Sequence, residues 1–171
     1  SACQTNPPRR LRVSCITSHP EQMESINQYP HLYKSSLVES ETQGYLIEEF
    51  YNLVCQRQET SVETPAILLG IDGVGEIIQH LTPEQVDQLS YVVQKGASVK
   101  VRIVATVESS QLQDLENFLE LFGAHLVGKM ESDGVGMNLA QIPEEAEREL
   151  KRGAQFCAKF AGEWVPFWIL S

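Results

Sequence analysis

The 171-residue chain has four cysteines but no Cys-x-x-Cys pair, no apolar run of membrane-spanning length, and a shortage of positive charge. Cys3, Cys15, Cys55 and Cys157 are far apart and irregularly spaced. Zinc sites usually contain at least one tight pair, so the pattern points to free thiols in a reducing compartment and to no metal site. The most apolar stretches, Ala66–Ile71, Ile103–Val107 and Trp164–Leu170, fall well short of the roughly 20 residues of a membrane helix. The N-terminus carries Pro7-Pro8-Arg9-Arg10 in place of the apolar segment of a signal peptide. No direct membrane insertion of this domain is expected. Lys and Arg number 13 against 23 Asp and Glu, a net charge of −10. A field of that sign repels phosphodiester backbones, so nucleic acid is not an expected partner. Also missing is a Gly-x-x-x-x-Gly-Lys-[Ser/Thr] phosphate cradle. The nearest stretch, Gly123-Ala-His-Leu-Val-Gly-Lys-Met130, ends in Met where Mg²⁺ needs a hydroxyl, and reads as a helix end followed by a strand. A working cradle has the reverse order. There is no Gly-x-Ser-x-Gly, and none of the four His residues pairs at metal spacing.

What is present is an alternation of strands and helices. Residues 1–10, polar and Pro-rich, are expected to be a disordered N-terminal segment, and one domain is expected over 11–171. Leu11–Thr17 reads as a strand, followed by a short helix from Pro20 and an aromatic turn, Tyr29-Pro30-His31-Leu32-Tyr33. Ser40 and Gln43 form a capping box for a helix that turns Leu46, Ile47, Phe50, Leu53 and Val54 to one face. Pro65 opens a strand running to Asp72. Thr82-Pro83-Glu84-Gln85 is a second capping box, for a helix burying Val86, Leu89, Val92 and Val93 and ending at Lys95-Gly96. Strands are expected at Val99–Val107 and Ala124–Met130, with a helix capped by Ser110 and Gln113 between them. Beyond a Gly-rich loop at Ser132–Gly136 and a short helix from Pro143, the chain closes with a hairpin, Ala154–Phe160 and Trp164–Leu170. Strands apolar on both sides imply an α/β fold with a mainly parallel sheet covered on both faces, the hairpin extending or flanking it. Binding sites in such sheets lie beyond the C-terminal strand ends, where Asp72, Thr106 and Glu108 should gather.

Ala66-Ile-Leu-Leu-Gly-Ile-Asp72 is the most informative stretch: a buried strand delivering one carboxylate at its C-terminal end, followed by Gly73-Val-Gly75 and a helix. The acid suits a metal–nucleotide site, or else the cap of the next helix, worth about 0.3–1 kcal/mol against the helix dipole; the second reading is favoured. Glu76, one turn on, reads as a solvated helix residue. Asp72-Gly-Val-Gly75 recurs as Asp133-Gly-Val-Gly136, and both read as ordinary turns. In Glu163-Trp-Val-Pro-Phe-Trp-Ile-Leu170, Trp164, Trp168 and Leu170 share one face, and Val165, Phe167 and Ile169 the other. A central strand would make these core. An edge strand, which Pro166 favours, would leave Trp164, Phe167 and Trp168 as a partner-binding surface.

The order of these pieces resembles the FtsK/SpoIIIE family of P-loop ATPases, and most closely the C-terminal ATPase modules of the type VII secretion coupling proteins EssC and EccC. Four stretches carry the resemblance: Ile26-Asn-Gln-Tyr-Pro-His-Leu32 leading to Leu37-Val38, the Walker B-like strand Ile67–Asp72, the sensor-like strand Val101-Arg-Ile-Val-Ala-Thr-Val-Glu-Ser-Ser110, and the closing segment from Leu150-Lys-Arg-Gly153 to Gly162-Glu-Trp-Val-Pro-Phe167. It implies a RecA-like three-layer α/β/α domain. It also implies a degenerate one: Gly73 follows Asp72 where the family has a second acid, Val107 replaces the sensor Gln beside Thr106, and no catalytic residue is expected. With the cradle, base and sensor lost together, phosphoryl transfer has nothing left to position it. The module would not be an enzyme and would need no cofactor, ATP and Mg²⁺ belonging to the parent protein. The resemblance implies a cytoplasmic domain of a membrane protein, with WXG-type secreted substrates or their C-terminal signal and adjacent ATPase modules as partners. The alternative is a piece of an active motor whose Walker A lies outside these residues.

Overall fold

The computed structural model describes residues 2–19, 21, 27–37, 41–60, 64–129, 150–151, 155–160 and 163–168. The chain divides into two compact units, Ser1–Val107 and Glu108–Ser171. In the first, β1 (Leu11–Thr17), β2 (Leu32–Leu37), β3 (Ala66–Ile71) and β4 (Val101–Ala105) form one parallel sheet in the order β2-β1-β3-β4. Helices α1 (Ala2–Thr5), α2 (Glu41–Glu59), α3 (Val74–Gln79) and α4 (Pro83–Lys95) surround it.

The core follows the periodicities. Along β3, Ile67, Leu69 and Ile71 are buried and Ala66, Leu68 and Gly70 are half-buried, as expected of a strand with neighbours on both sides. Leu46, Ile47, Phe50 and Val54 of α2 and Leu89 and Val92 of α4 are buried at helical spacing. The Thr82 box forms as expected: the Thr82 hydroxyl accepts from Gln85 N at 3.3 Å, Gln85 Oε1 accepts from Thr82 N at 3.0 Å, and Pro83 stands at the first helical position. Arg57 ties the end of α2 to the entrances of β3 and β4, donating to Pro65 O at 3.0 Å and Val99 O at 3.1 Å.

Gly96 does not end α4 in a left-handed conformation, as the sequence suggests. Its φ is −59°, the chain runs on into a 3₁₀ turn (Gly96–Val99), and the left-handed residue is Lys100, φ 62°. Glycine is needed at 96 for space: a Cβ there would lie 2.7 Å from the Val101 carbonyl oxygen.

In the second unit a 3₁₀ turn (Ser109–Gln111) and a short helix α5 (Glu116–Leu119) stand where one capped helix is expected. The Ser110 hydroxyl donates to Glu108 Oε2 at 3.4 Å, so it is not free to cap. Leu112, Leu115, Phe118 and Leu119 are nevertheless buried, and Phe118 meets Phe122 edge-on at 5.6 Å. The terminal hairpin is present as β6 (Gln155–Phe160) and β7 (Glu163–Trp168). It joins β5 (Leu126–Gly128) in a separate antiparallel sheet of order β5-β6-β7, and does not extend the parallel one. Pro20, Ser40, the Asp133 loop and the Pro143 helix lie outside the described residues.

All four cysteines are free; Cys15 and Cys157 are buried, Cys3 and Cys55 half-exposed. Burial pushes the Cys15 thiol up and the Asp72 charge adds to it; burial likewise raises Cys157. Two expectations follow. Gly96→Ala should lower stability by about 1–3 kcal/mol, seen as a lower urea midpoint at unchanged m-value, because backbone has to move. In native protein at pH 8, mass spectrometry should find Cys3 and Cys55 alkylated well before Cys15 and Cys157. Since folding raises these two thiol pKa values, their stabilising share is present below the ordinary thiol pKa of about 8.5 and falls as pH rises beyond it.

Candidate functional site

The β1-to-β2 connection runs to one side of β1, and the β2-to-β3 connection returns past it. The sheet order therefore reverses between β1 and β3, and in open parallel sheets ligand crevices form at the C-terminal ends of the strands flanking such a reversal. Thr17 is the last residue of β1, and Asp72 follows β3 directly. Thr106 follows β4 and holds register through Thr106 N, which donates to Ile71 O at 2.9 Å. Parallel pairing thus delivers three polar side chains to one edge of the sheet.

They close on each other. The Thr17 hydroxyl donates to Asp72 Oδ2 at 3.0 Å and accepts from His19 N at 3.0 Å. The Thr106 hydroxyl donates to Asp72 Oδ1 at 2.8 Å and accepts from Gly73 N at 2.9 Å. Each carboxylate oxygen is therefore held by a hydroxyl whose own lone pair is held by a backbone N–H. Thr17 is fully buried, whereas the Asp72 side chain keeps 29% exposure. His19 Nε2 lies 4.0 Å from Asp72 Oδ2, and its Nδ1 lies 3.5 Å from Glu21 Oε1.

Asp72 does not cap α3, contrary to the favoured expectation. The N-cap is Gly73, in the left-handed region at φ 78°, and the free N–H groups there go to Thr106: Gly73 N to its hydroxyl and Val74 N to its carbonyl at 2.9 Å. The sharp turn off β3 needs that conformation, which glycine adopts without penalty. Gly73 thus presents no side chain to a ligand. A Cβ at 73 would stand 3.6 Å from Glu76 Oε2, so the Glu76 carboxylate folds back over the turn, though Glu76 itself is exposed. Val107 is half-buried and offers no hydrogen bond. Among the described residues, no three His, Cys, Asp or Glu side chains could hold a metal ion. In the sequence Thr17 reads only as the end of the first strand and His19 only as a surface or capping residue beside Pro20; the signal available was a hydroxyl closing the first strand, at the same strand-end position as Asp72.

The aromatic candidates lie in the second unit. Strand β7 is outermost in its sheet, the edge placement that Pro166 favours. Phe167 stacks on Phe156 of β6 with ring centroids 6.3 Å apart. Trp164 is half-buried, and Trp168 is 54% exposed with Lys151 Nζ 5.4 Å over its ring. Val165, 43% exposed, projects from the opposite face of the strand.

No protein-family model matches the sequence, and no curated protein matches it. Solved structures do. The cytoplasmic domain of the Thermomonospora curvata type VII secretion ATPase EccC is similar over 97% of this chain and 22% of its own, at 15% identity and TM-score 0.71. EssC (ATPases 2 and 3) from Geobacillus thermodenitrificans is similar over 97% of this chain and 34% of its own, at 13% identity and TM-score 0.75. Thermomonospora curvata EccC (ATPases 2 and 3) in complex with a signal sequence peptide is similar over 99% of this chain and 34% of its own, at 11% identity and TM-score 0.75. The chain thus spans between 22% and 34% of these proteins' lengths, and at such identities the likeness establishes the fold: it is that of EccC and EssC ATPase domains.

If the hydroxyls are what hold the acid, Thr17→Val should cost about 1–3 kcal/mol, since it removes a buried donor to a charged acceptor and strands the His19 amide. Thr106→Val, at an exposed position, should cost less, about 0.5–1.5 kcal/mol. Urea titrations of both variants check the order, and equal losses would refute it.

Proposed function

We propose that this chain is a non-hydrolysing ATPase-like module of a type VII secretion translocase. It recognises the C-terminal signal of WXG-type secreted substrates and contacts adjacent ATPase modules. One observation supports this above the rest: the strand-end acid Asp72 is bound on both oxygens by the chain's own hydroxyls, and the next residue, Gly73, carries no side chain. An acid held this way is a structural tie between three strands. Val107, at the sensor position, has no polar group with which to orient an attacking water. The likeness in fold to an EccC structure holding a signal sequence peptide supports the recognition role. The exposed face of Trp168 on an edge strand supplies a contact surface of the kind that dominates binding energies.

Among the described residues no helix is long and apolar enough to cross a membrane. The module is read as a cytoplasmic part of a membrane-bound parent. The second reading, a piece of an active motor completed by a Walker A elsewhere, draws on the position of Asp72 at the sheet reversal, where a nucleotide would sit.

Calorimetry separates the two. Mg²⁺–ATP should give no heat up to millimolar concentration, and peptides from the C-termini of secreted substrates should bind in the micromolar range. Trp168→Ala should weaken the peptide by about thirtyfold, corresponding to about 2 kcal/mol. Micromolar ATP binding with turnover would favour the motor, and a Trp168→Ala variant with undiminished affinity would move the peptide site off β7.

A further inference from the structure

Trp168 is the last residue of β7, and Gln155, the first of β6, stands opposite it in the ladder. Gln155 holds Lys151 by two bonds: Lys151 N donates to Gln155 Oε1 at 3.1 Å, and Gln155 N donates to Lys151 O at 3.1 Å. The pair of bonds fixes the Lys151 backbone against the cross-strand partner of Trp168. From there the Lys151 side chain reaches over the indole, with Nζ 5.4 Å from the ring centroid. The electron-rich ring face attracts the ammonium and holds it in place. One ring takes up only one side of an ammonium, so N–H donors remain for an acceptor beside the indole. Among the described residues no carboxylate pairs with Lys151. In a chain with 23 acids and 13 cations, a positioned ammonium with donors to spare calls for a reason.

We propose that Lys151 reads the free α-carboxylate at the end of the bound peptide, while the Trp168 indole takes the apolar side chain of the same terminal residue. The inference rests on the reading of β7 as the peptide-binding strand, and it names the chemical group that this strand selects. The partner proposed for β7 is a C-terminal segment, and the α-carboxylate is the anion that every C-terminus carries whatever its sequence. The terminal residue's side chain and carboxylate leave the same Cα, so one residue spans the 5.4 Å between ring and ammonium. Lysine suits this acceptor: a compact charge on a flexible stem meets a single carboxylate without the fixed fork of an arginine. Pro166 removes a donor from the β7 edge, so backbone pairing cannot by itself set where the peptide ends. A charge contact at the last residue of the strand sets that register. The net charge of −10 opposes the approach of any anion, so Lys151 acts at short range, as a specificity contact and not as a steering one.

Calorimetry of the whole chain with a C-terminal peptide of a WXG-type secreted substrate, prepared as free acid and as C-terminal amide, tests it. The free acid should bind about fivefold more tightly than the amide. Lys151→Met keeps the length of the stem and removes the charge, so it should abolish that difference and leave the amide's affinity unchanged. Lys151→Glu should reverse the order of the two forms. A third peptide, with a free terminus and its acidic side chains replaced by amides, should bind as the parent does. Each ratio is read within one variant, so a loss of stability weakens both forms together and cannot imitate the result. Equal binding of acid and amide to the unaltered chain overturns the proposal while leaving β7 as the peptide strand. A difference that survives Lys151→Met overturns it as well, since another cation would then read the carboxylate. So does a loss of affinity that follows the side-chain amides instead of the terminal one. If neither form binds, the peptide-recognition reading itself fails and this inference falls with it.

Discussion

Parallel strands all end on the same side of their sheet, so the polar groups that leave the ladder accumulate there together. In this protein the end of the sheet is closed by one carboxylate between two hydroxyls. Asp72 accepts from Thr17 and Thr106, Thr17 accepts from His19 N, and Thr106 accepts from Gly73 N. The loop after β1, the turn after β3 and the end of β4 are fixed relative to one another through a single side chain. The left-handed Gly73 and the first N–H groups of α3 depend on the same arrangement, because Thr106 satisfies them from an adjacent strand. Hydrogen bonds to a charged acceptor are about twice as strong as neutral ones, so this closure is firmer than its size suggests.

That closure decides how the acid is read. A Mg²⁺–nucleotide site needs a carboxylate whose lone pairs face a phosphate cradle, with a neighbouring group to direct water. Here both oxygens are directed into the strand ends, and the residue beyond has no side chain. The position is one where open parallel sheets bind ligands, whereas the local chemistry is that of a tie. The proposed non-hydrolysing module accommodates both, with recognition on β7 and not at the strand ends.

The sequence was most legible where periodicity and burial coincide. The α2 face of Leu46, Ile47, Phe50 and Val54, the Thr82 box and the β3 run to Asp72 were all readable because local propensity and tertiary burial agree there. It was less legible where a side chain had two possible partners. Ser110 looks like a cap and instead bonds Glu108, so the expected helix breaks into a 3₁₀ turn and a short helix. Gly96 looks like a left-handed terminator and is instead a point of close backbone approach to Val101. The Thr17 contact was not visible, because its partner lies 55 residues away and pairing register alone brings them together. Long-range register is also what assigned the hairpin to its own sheet, a choice that period-two alternation cannot make.

Two of the outermost strands, β7 and β4, show how one chain treats the same hazard in two ways. Strand β7 exposes aromatic surface, yet Pro166 takes a donor out of its ladder, so a partner there is met by side chains. Strand β4 turns the backbone groups of Ile103 and Ala105 away from β3, with the exposed Val104 between them, so a strand beside it would be met by backbone. Side-chain recognition discriminates among sequences, whereas backbone pairing accepts nearly any extended segment whose opposite residues do not clash. On the proposed function, specificity at β7 therefore rests on Trp168 and its neighbours.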